Sequence, residues 1–413
     1  MARVLTLLYS LLAGVLAWPA GLLLRRHPNF AGTIAGRLGL TLPEPPGTGP
    51  VLWVHAASVG EVKAAAGLVR ALKGTCPGVS VCLSSMTATG RQVAAGMPGV
   101  DLVFPLPFDS PRAMKRHLLR LKPRVLVIVE TELWPSLITQ AASLGIPVVV
   151  VNGRMTERSA RRYGLLPSLA RAVLSSVRVL AMAESDASRF SRLGAGEVET
   201  LGNLKLDSVA DVDPEKRDEI RGSLGVGDRP VFIAGSIREG EEEPVFRAVE
   251  RARKRVPALF SILAPRHPGQ MGTLTGLAEK SGLRWCLRSR MEPGADLVLV
   301  DTMGELFSLY GVSSAAYVGG SLVDTGGQNI LEPIAWGVPT LHGPHMDNFT
   351  WALEVVEGFT IRVQSPEELG DAVADIALFP EKYRDLARGA RDRLEEKRGV
   401  TLRYLEKIRE YLR

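Results

Sequence analysis

"VLWVHAASVGEVKAAAGLVRALK", residues 51–73, decides how this chain folds. "VLWVHA" is a continuous apolar run, as in a parallel strand buried on both faces. A turn of small residues, Ser58-Val59-Gly60, follows, and a helical pattern leaves it. The first residue past the glycine is an acid, Glu61. The stretch therefore reads as one βα unit with a carboxylate at the carboxyl end of its strand.

The unit repeats. "VSVCLSS" (79–85), "DLVFPLP" (101–107), "RVLVIVE" (124–130), "PVVVVNG" (147–153) and "RVLAMAES" (178–185) read as strands, separated by stretches of crossover-helix length. A polar, charged stretch with prolines and glycines interrupts the pattern near Asp207. It restarts with "PVFIAGS" (230–236), "LFSILAP" (259–265), "LRWCLRS" (283–289), "DLVLVDT" (296–302), "AAYVGG" (315–320) and "PTLHGP" (339–344). The expectation is an α/β protein of two Rossmann-like, doubly wound domains, 31–210 and 229–390. A linker at 211–228 joins them, and a helical tail follows at 391–413. Ligands of open parallel sheets bind beyond the carboxyl ends of the strands, so the expected site is a central cleft that both domains face.

Composition narrows the function. The chain has 413 residues, 46% of them hydrophobic and 6% aromatic, which fits a globular protein with real cores and excludes a disordered one. The formal charge of +6 favours anionic partners such as phosphates or an acidic membrane face. No zinc-finger, helix-turn-helix or RNP spacing occurs, so nucleic acid is not an expected partner. Cys76, Cys82 and Cys286 have no CxxC spacing and read as buried thiols.

Residues 4–24, "VLTLLYSLLAGVLAWPAGLLL", carry no charge and are long enough to span a bilayer core of about 30 Å. Arg25 and Arg26 follow directly, which favours an anchor over a cleaved signal peptide and keeps the downstream chain cytosolic. Residues 1–30 are therefore expected to form a single N-terminal membrane-anchor helix, with everything after it cytosolic.

The polar clusters fall at strand ends. In the first domain they include Ser58 to Glu61, Glu130 and Glu132, Asn152 with Arg154, and Asn203 with Lys205. In the second they include Arg266 with His267, the stretch 301–305, and "GGSLVDTGGQNILEP" (319–333). Paired glycines and a helix start make that last loop the best phosphate candidate, through unpaired backbone N–H groups. It is neither GxGxxG nor GxxxxGK[ST], which argues against a dinucleotide dehydrogenase and a P-loop NTPase. Arg266 adds a fork of donors suited to a phosphate. Glu61 alone could serve only the helix dipole. Opposite a phosphorylated donor, the same acid would be the base of a group transfer to a hydroxyl. Arg154 and Arg158 lie in a basic run suited to an anionic acceptor. His342 and His345 in "HGPH" lack a nearby third ligand, and no metal site is expected.

Eight motifs in order make the chain resemble the lipid A Kdo (3-deoxy-D-manno-octulosonic acid) transferases of lipopolysaccharide assembly. They are "HAASVGE" (55–61), "ETELWP" (130–135), "NGRMTERS" (152–159), "GNLK" (202–205), "PRHP" (265–268), "VDTMGEL" (300–306), the 319–333 stretch and "GPHMDNF" (343–349). The resemblance implies a GT-B glycosyltransferase that moves Kdo from CMP-Kdo to a lipid A precursor with inversion, at the inner membrane and without a cofactor or metal. It implies Glu61 as the catalytic base. It implies a CMP-Kdo site of Arg266, His267, Met303, Gly304, Glu305, Asn329 and Glu332, with Asn203 and Lys205 as further donor contacts. Ser58, Gly60, Glu130, Glu132, Arg154 and Arg158 are the acceptor or cleft candidates. Ile237-Arg238 stand where that family usually has Thr-His, and Gln328 where it has His; Gly153 and Met155 replace the usual Ala and Leu. A nucleotide-sugar epimerase of the same fold, or a non-catalytic membrane-tethered sugar-nucleotide binder, are the alternatives.

Overall fold

The computed structural model describes residues 2–413. Met1, where the expected anchor begins, and the side chains of residues 2–7 lie outside the described residues. The chain forms two compact units: Met1–Ser208 with Gly399–Arg413, and Val209–Arg398.

Unit 1 is built on seven parallel strands, β1 (Val51–His55), β2 (Ser80–Ser85), β3 (Leu102–Pro105), β4 (Val125–Val129), β5 (Val148–Gly153), β6 (Val177–Ala181) and β7 (Glu197–Thr200). Their order is β3-β2-β1-β4-β5-β6-β7. The reversal falls between β1 and β4, which pair with His55 beside Ile128. Both are buried along their whole length, which explains their unbroken apolar sequences. Helix Val59–Thr75 covers the sheet through Val62, Ala65, Leu68, Val69 and Leu72, the three-and-four spacing of one buried helix face.

The end of the chain returns to this unit. Asp207 accepts hydrogen bonds from the backbone N–H groups of Gly399 (2.8 Å) and Thr401 (2.6 Å) at the start of helix Val400–Arg409. Tyr404 of that helix is buried and donates to the Gly202 carbonyl at 2.9 Å.

Unit 2 carries β8 (Val231–Ile237), β9 (Phe260–Pro265), β10 (Trp285–Leu287), β11 (Leu297–Leu299), β12 (Ala315–Val318), β13 (Thr340–His342) and β14 (Ile361–Arg362). These are also parallel, in the order β10-β11-β9-β8-β12-β13-β14. The polar stretch expected as a linker contains helix Pro214–Leu224, capped by Asp213, whose carboxylate accepts from the Lys216 N–H at 3.1 Å. Its Ile220 and Leu224 are buried in the core of this unit.

The N-terminal apolar run is helical from Ala2 to Leu24, but the structure lends the expected membrane span no support. Among the described residues no helix is long and apolar enough to cross one. One face of this helix is used on unit 1. The Tyr9 hydroxyl donates to Asp109 at 2.7 Å, Ala17 is buried, and a Cβ on Gly21 would lie 3.1 Å from Ile34. The other face, Leu8, Leu11, Leu12, Val15, Leu16, Leu22 and Leu23, is exposed at helical spacing. The run lacks charge because both faces are apolar, one against protein and one outward.

Candidate functional site

In unit 1 the acid of the opening turn sits where the strand order reverses. Ser58 caps helix Val59–Thr75, its Oγ accepting from the Glu61 N–H at 3.3 Å. The Glu61 carboxylate folds back to accept from the Ala57 N–H at 2.7 Å and the Ser58 hydroxyl at 3.0 Å. This is close to a capping box, so the side chain has a helix-starting role as well as a chemical one. Burial pushes the Glu61 carboxyl up to about 7; the Ala57 and Ser58 hydrogen bonds hold it back, while the charges of Glu132 and Glu130 add to the rise. The structure therefore brings Glu61, Glu130 and Glu132 together. A carboxylate titrating near neutrality has the affinity a general base requires.

The surroundings are shaped for approach. Glu130 and Asn152, at the ends of β4 and β5, have left-handed backbone (φ 61° and 53°), a conformation that costs non-glycine residues energy and that clusters at functional sites. A Cβ on Gly60 would meet nothing closer than Ser58 Oγ at 3.7 Å. The protein's own packing thus does not demand glycine there, and its bareness leaves the exposed side of the turn open. Burial raises the Glu132 carboxyl, Trp134 lowers it, and the Glu130 charge raises it further. Arg154 and Arg158 are exposed. Asn203 is engaged locally, its Oδ1 accepting from the Lys205 N–H at 2.9 Å, and Lys205 is exposed. Both belong to unit 1, whereas the other expected donor contacts belong to unit 2.

His55, left without a role in the sequence, is fully buried with Nδ1 3.1 Å from the Ser84 carbonyl and 3.0 Å from its Oγ. Burial pushes its pKa down to about 4, so it is a neutral ring inside the sheet.

In unit 2 the carboxyl ends of β11, β9, β8 and β12 lie side by side. They bring Arg266 and His267, the 302–305 turn and the glycine loop to one edge. Arg266 is anchored by its backbone N–H on the Ile237 carbonyl at 2.8 Å. Asn329 donates to Glu332 at 3.0 Å. Burial raises the Glu332 carboxyl, against the Asn329 amide and the nearby charge of Arg266, which lower it. Arg266, Asn329 and Glu332 thus form one polar cluster. Gly304 has a left-handed φ of 87°, and Met303 beside it is 85% exposed. Glu305 is committed to Arg288 at 3.1 Å, in a largely buried pair that holds the turn. Arg238 lies with a guanidinium nitrogen 3.0 Å from His267 Nε2.

The glycine loop corrects one expectation. Its N–H groups are not all available to an anion, because a buried carboxylate of the protein already occupies them. Glu241 Oε1 accepts from the Tyr317 hydroxyl (2.7 Å), the Ser321 N–H (2.9 Å) and the Leu322 N–H (2.9 Å). Its Oε2 accepts from the N–H groups of Gly320 and Arg238. Glu241 lies in the run "REGEEE", which looks like a solvated charged stretch; apart from the Arg238 N–H its partners lie 76–81 residues away, and nothing local announces them. Of the "HGPH" pair, His342 is buried with Nδ1 2.7 Å from the Gly343 carbonyl. His345 lies instead with Asp324 and Asp347 in an exposed group whose ligand atoms are within 4.8 Å of one another.

Known proteins match this chain in sequence and in fold. A family model described as 3-deoxy-D-manno-octulosonic-acid transferase (kdotransferase) matches residues 33–208. The 3-deoxy-D-manno-octulosonic acid transferase of Haemophilus influenzae is 34% identical over 95% of this chain and 94% of its own. That of Bordetella pertussis is 33% identical over 93% and 92%. Among solved structures, a glycosyltransferase from Rickettsia africae shares the fold, with a TM-score of 0.60 over 89% of this chain and all of its own (100%), at 13% identity. The chain is an α/β glycosyltransferase and belongs to the 3-deoxy-D-manno-octulosonic acid (Kdo) transferase family.

Proposed function

We propose that the chain transfers Kdo from CMP-Kdo to a hydroxyl of a lipid A precursor in one inverting displacement, with Glu61 as general base. The observation that carries this is the Glu61 carboxyl, held by Ala57 and Ser58 and raised to about 7. At neutral pH it is present as carboxylate in useful amount yet basic enough to accept a proton in the transition state.

Glu61 takes the proton of the acceptor hydroxyl as its oxygen forms a bond to the anomeric carbon of Kdo. The bond from that carbon to the CMP phosphate breaks on the opposite face, and CMP leaves with the electron pair. Charge growing on the single phosphate is met by Arg266, and Glu332 with Asn329 takes the ribose hydroxyls. One phosphate met by a guanidinium needs no metal, so no cofactor enters the proposal. The acceptor's phosphates are drawn by the exposed Arg154 and Arg158.

The helix Ala2–Leu24 then has an interfacial task. Its outward leucines rest in the cytoplasmic face of the inner membrane, while its inner face stays on unit 1. The test of the base is Glu61→Gln, which keeps the shape and loses the proton affinity. The expected result is turnover reduced at least a hundredfold with CMP affinity unchanged. Full activity in that variant would overturn the mechanism.

A further inference from the structure

Unit 1 contains an apolar cavity of about 290 Å³, bounded by Tyr9 of the N-terminal helix, by the 133–135 segment and by residues 162–174. The size is at the lower end of small-molecule sites. Its deep wall is Val173 and Leu174, both buried, and Leu169 lies beside them. Tyr9 closes one side with its hydroxyl committed to Asp109, which also accepts from the Ser136 and Leu137 N–H groups at 3.0 Å each. The helix is thereby fixed as a wall of the cavity. The one charged side chain on the lining is Arg162, which is exposed.

Three observations identify the occupant. Leu166, 52% exposed, joins the cavity to outward-facing Leu165, 79% exposed, so an apolar chain can enter without crossing a polar rim. Arg158, Arg161 and Arg162 on helix Glu157–Gly164 are all exposed and form a cationic margin suited to a phosphorylated headgroup. At the polar end Tyr163 lines the cavity with its hydroxyl 3.5 Å from the Thr131 carbonyl. The next residue, Glu132, carries the charge that acts on Glu61. Cavity, arginines and Glu132 are thus contributed by neighbouring segments of unit 1, residues 131–135 and 157–174.

We propose that this cavity binds one fatty-acyl chain of the lipid acceptor and so sets the distance from the tail to the hydroxyl presented to Glu61. The proposal rests on the lipid-acceptor reading above. The experiment measures transfer by the full chain in detergent, with a tetraacylated phosphorylated glucosamine disaccharide and with forms of shortened tails. Each buried methylene removed should raise the acceptor KM about fourfold. Leu169→Trp, which fills the cavity, and Leu166→Asp, which charges its exposed entrance, should each reduce the preference for long tails at least tenfold. The far-UV circular dichroism and thermal transition of each variant, read in parallel, report that unit 1 is folded.

A wild-type KM indifferent to tail length, or variants that keep the wild-type preference, would overturn the proposal. Variants that lose attachment to vesicles of acidic phospholipid but keep the tail preference would mean that the cavity takes bulk membrane lipid, and would overturn it as well. Failure of the wild-type chain to transfer Kdo to any acylated acceptor would instead defeat the functional reading, and the cavity proposal with it.

Discussion

Replacing Glu241 by glutamine exchanges one oxygen for an NH2 group and should destabilise unit 2 out of proportion to that change. The carboxylate now accepts five hydrogen bonds, three on Oε1 and two on Oε2. With the glutamine oxygen placed at Oε1, the three donors there keep an acceptor. The amide nitrogen then faces the Gly320 and Arg238 N–H groups, donor against donor. Leaving a buried donor unpaired costs about 1–3 kcal/mol, so two of them cost about 2–6 kcal/mol. A domain is typically stable by only about 5–15 kcal/mol. With a urea m-value of about 2 kcal/mol/M, the unfolding midpoint of unit 2 should fall by about 1–3 M at unchanged m. Urea denaturation with hydrogen exchange read at Gly320 to Leu322 measures both the global and the local loss. Glu241→Ala should respond to added formate, which can refill the vacated acceptor position, by recovering part of its stability. A midpoint within about 0.3 M of wild type for Glu241→Gln would refute the reasoning. It would mean that the loop finds other acceptors and that Glu241 does not hold it.

Two further results follow from the site. The base must be unprotonated to act, and Glu61 titrates at about 7, so kcat/KM should fall about tenfold per pH unit below that value and level off above it. In Ser58→Ala a hydrogen bond that lowers the Glu61 pKa is lost, so the limb should move to higher pH, with about 1 kcal/mol of stability lost with the cap. A pH–rate profile identical to wild type would contradict this. Arg266→Ala should weaken CMP binding by about tenfold to a hundredfold, the worth of a charge-assisted hydrogen bond. Arg266→Lys should fall between, since it keeps the charge and loses the fork. Isothermal titration with CMP checks both variants, and equal affinity in all three proteins would remove Arg266 from the site.

The central strands were legible because burial on both faces writes itself as an unbroken apolar run, as in "RVLVIVE" around β4. The edges were not. β7 is Glu197–Thr200, half exposed, with Glu197 paired to Arg178 at 2.7 Å, and a short charged edge reads as a loop. Glu61, Glu130 and Glu132 could be picked out because strand order alone brings the ends of β1 and β4 together. Glu241 could not, since its significance depends on donors contributed by another strand's end. The docking of the N-terminal helix on protein was not legible for a related reason. Hydropathy records that neither face carries charge, but not that small residues such as Ala17 and Gly21 let one face settle against protein.

The return of the last helix to unit 1 has a consequence for how the enzyme is made. Helix Val400–Arg409 comes from the end of the chain, yet it docks on a unit whose other residues all precede Val209. Unit 2, continuous from Val209 to Arg398, has every residue it needs before translation ends. The unit that carries Glu61 emerges first but is completed only after unit 2, when helix Val400–Arg409 has left the ribosome and Asp207 has caught its amides. The fold of unit 1 is thus tied to synthesis beyond Gly399: a chain ending at Arg398 would hold all of unit 2 and leave unit 1 unfinished.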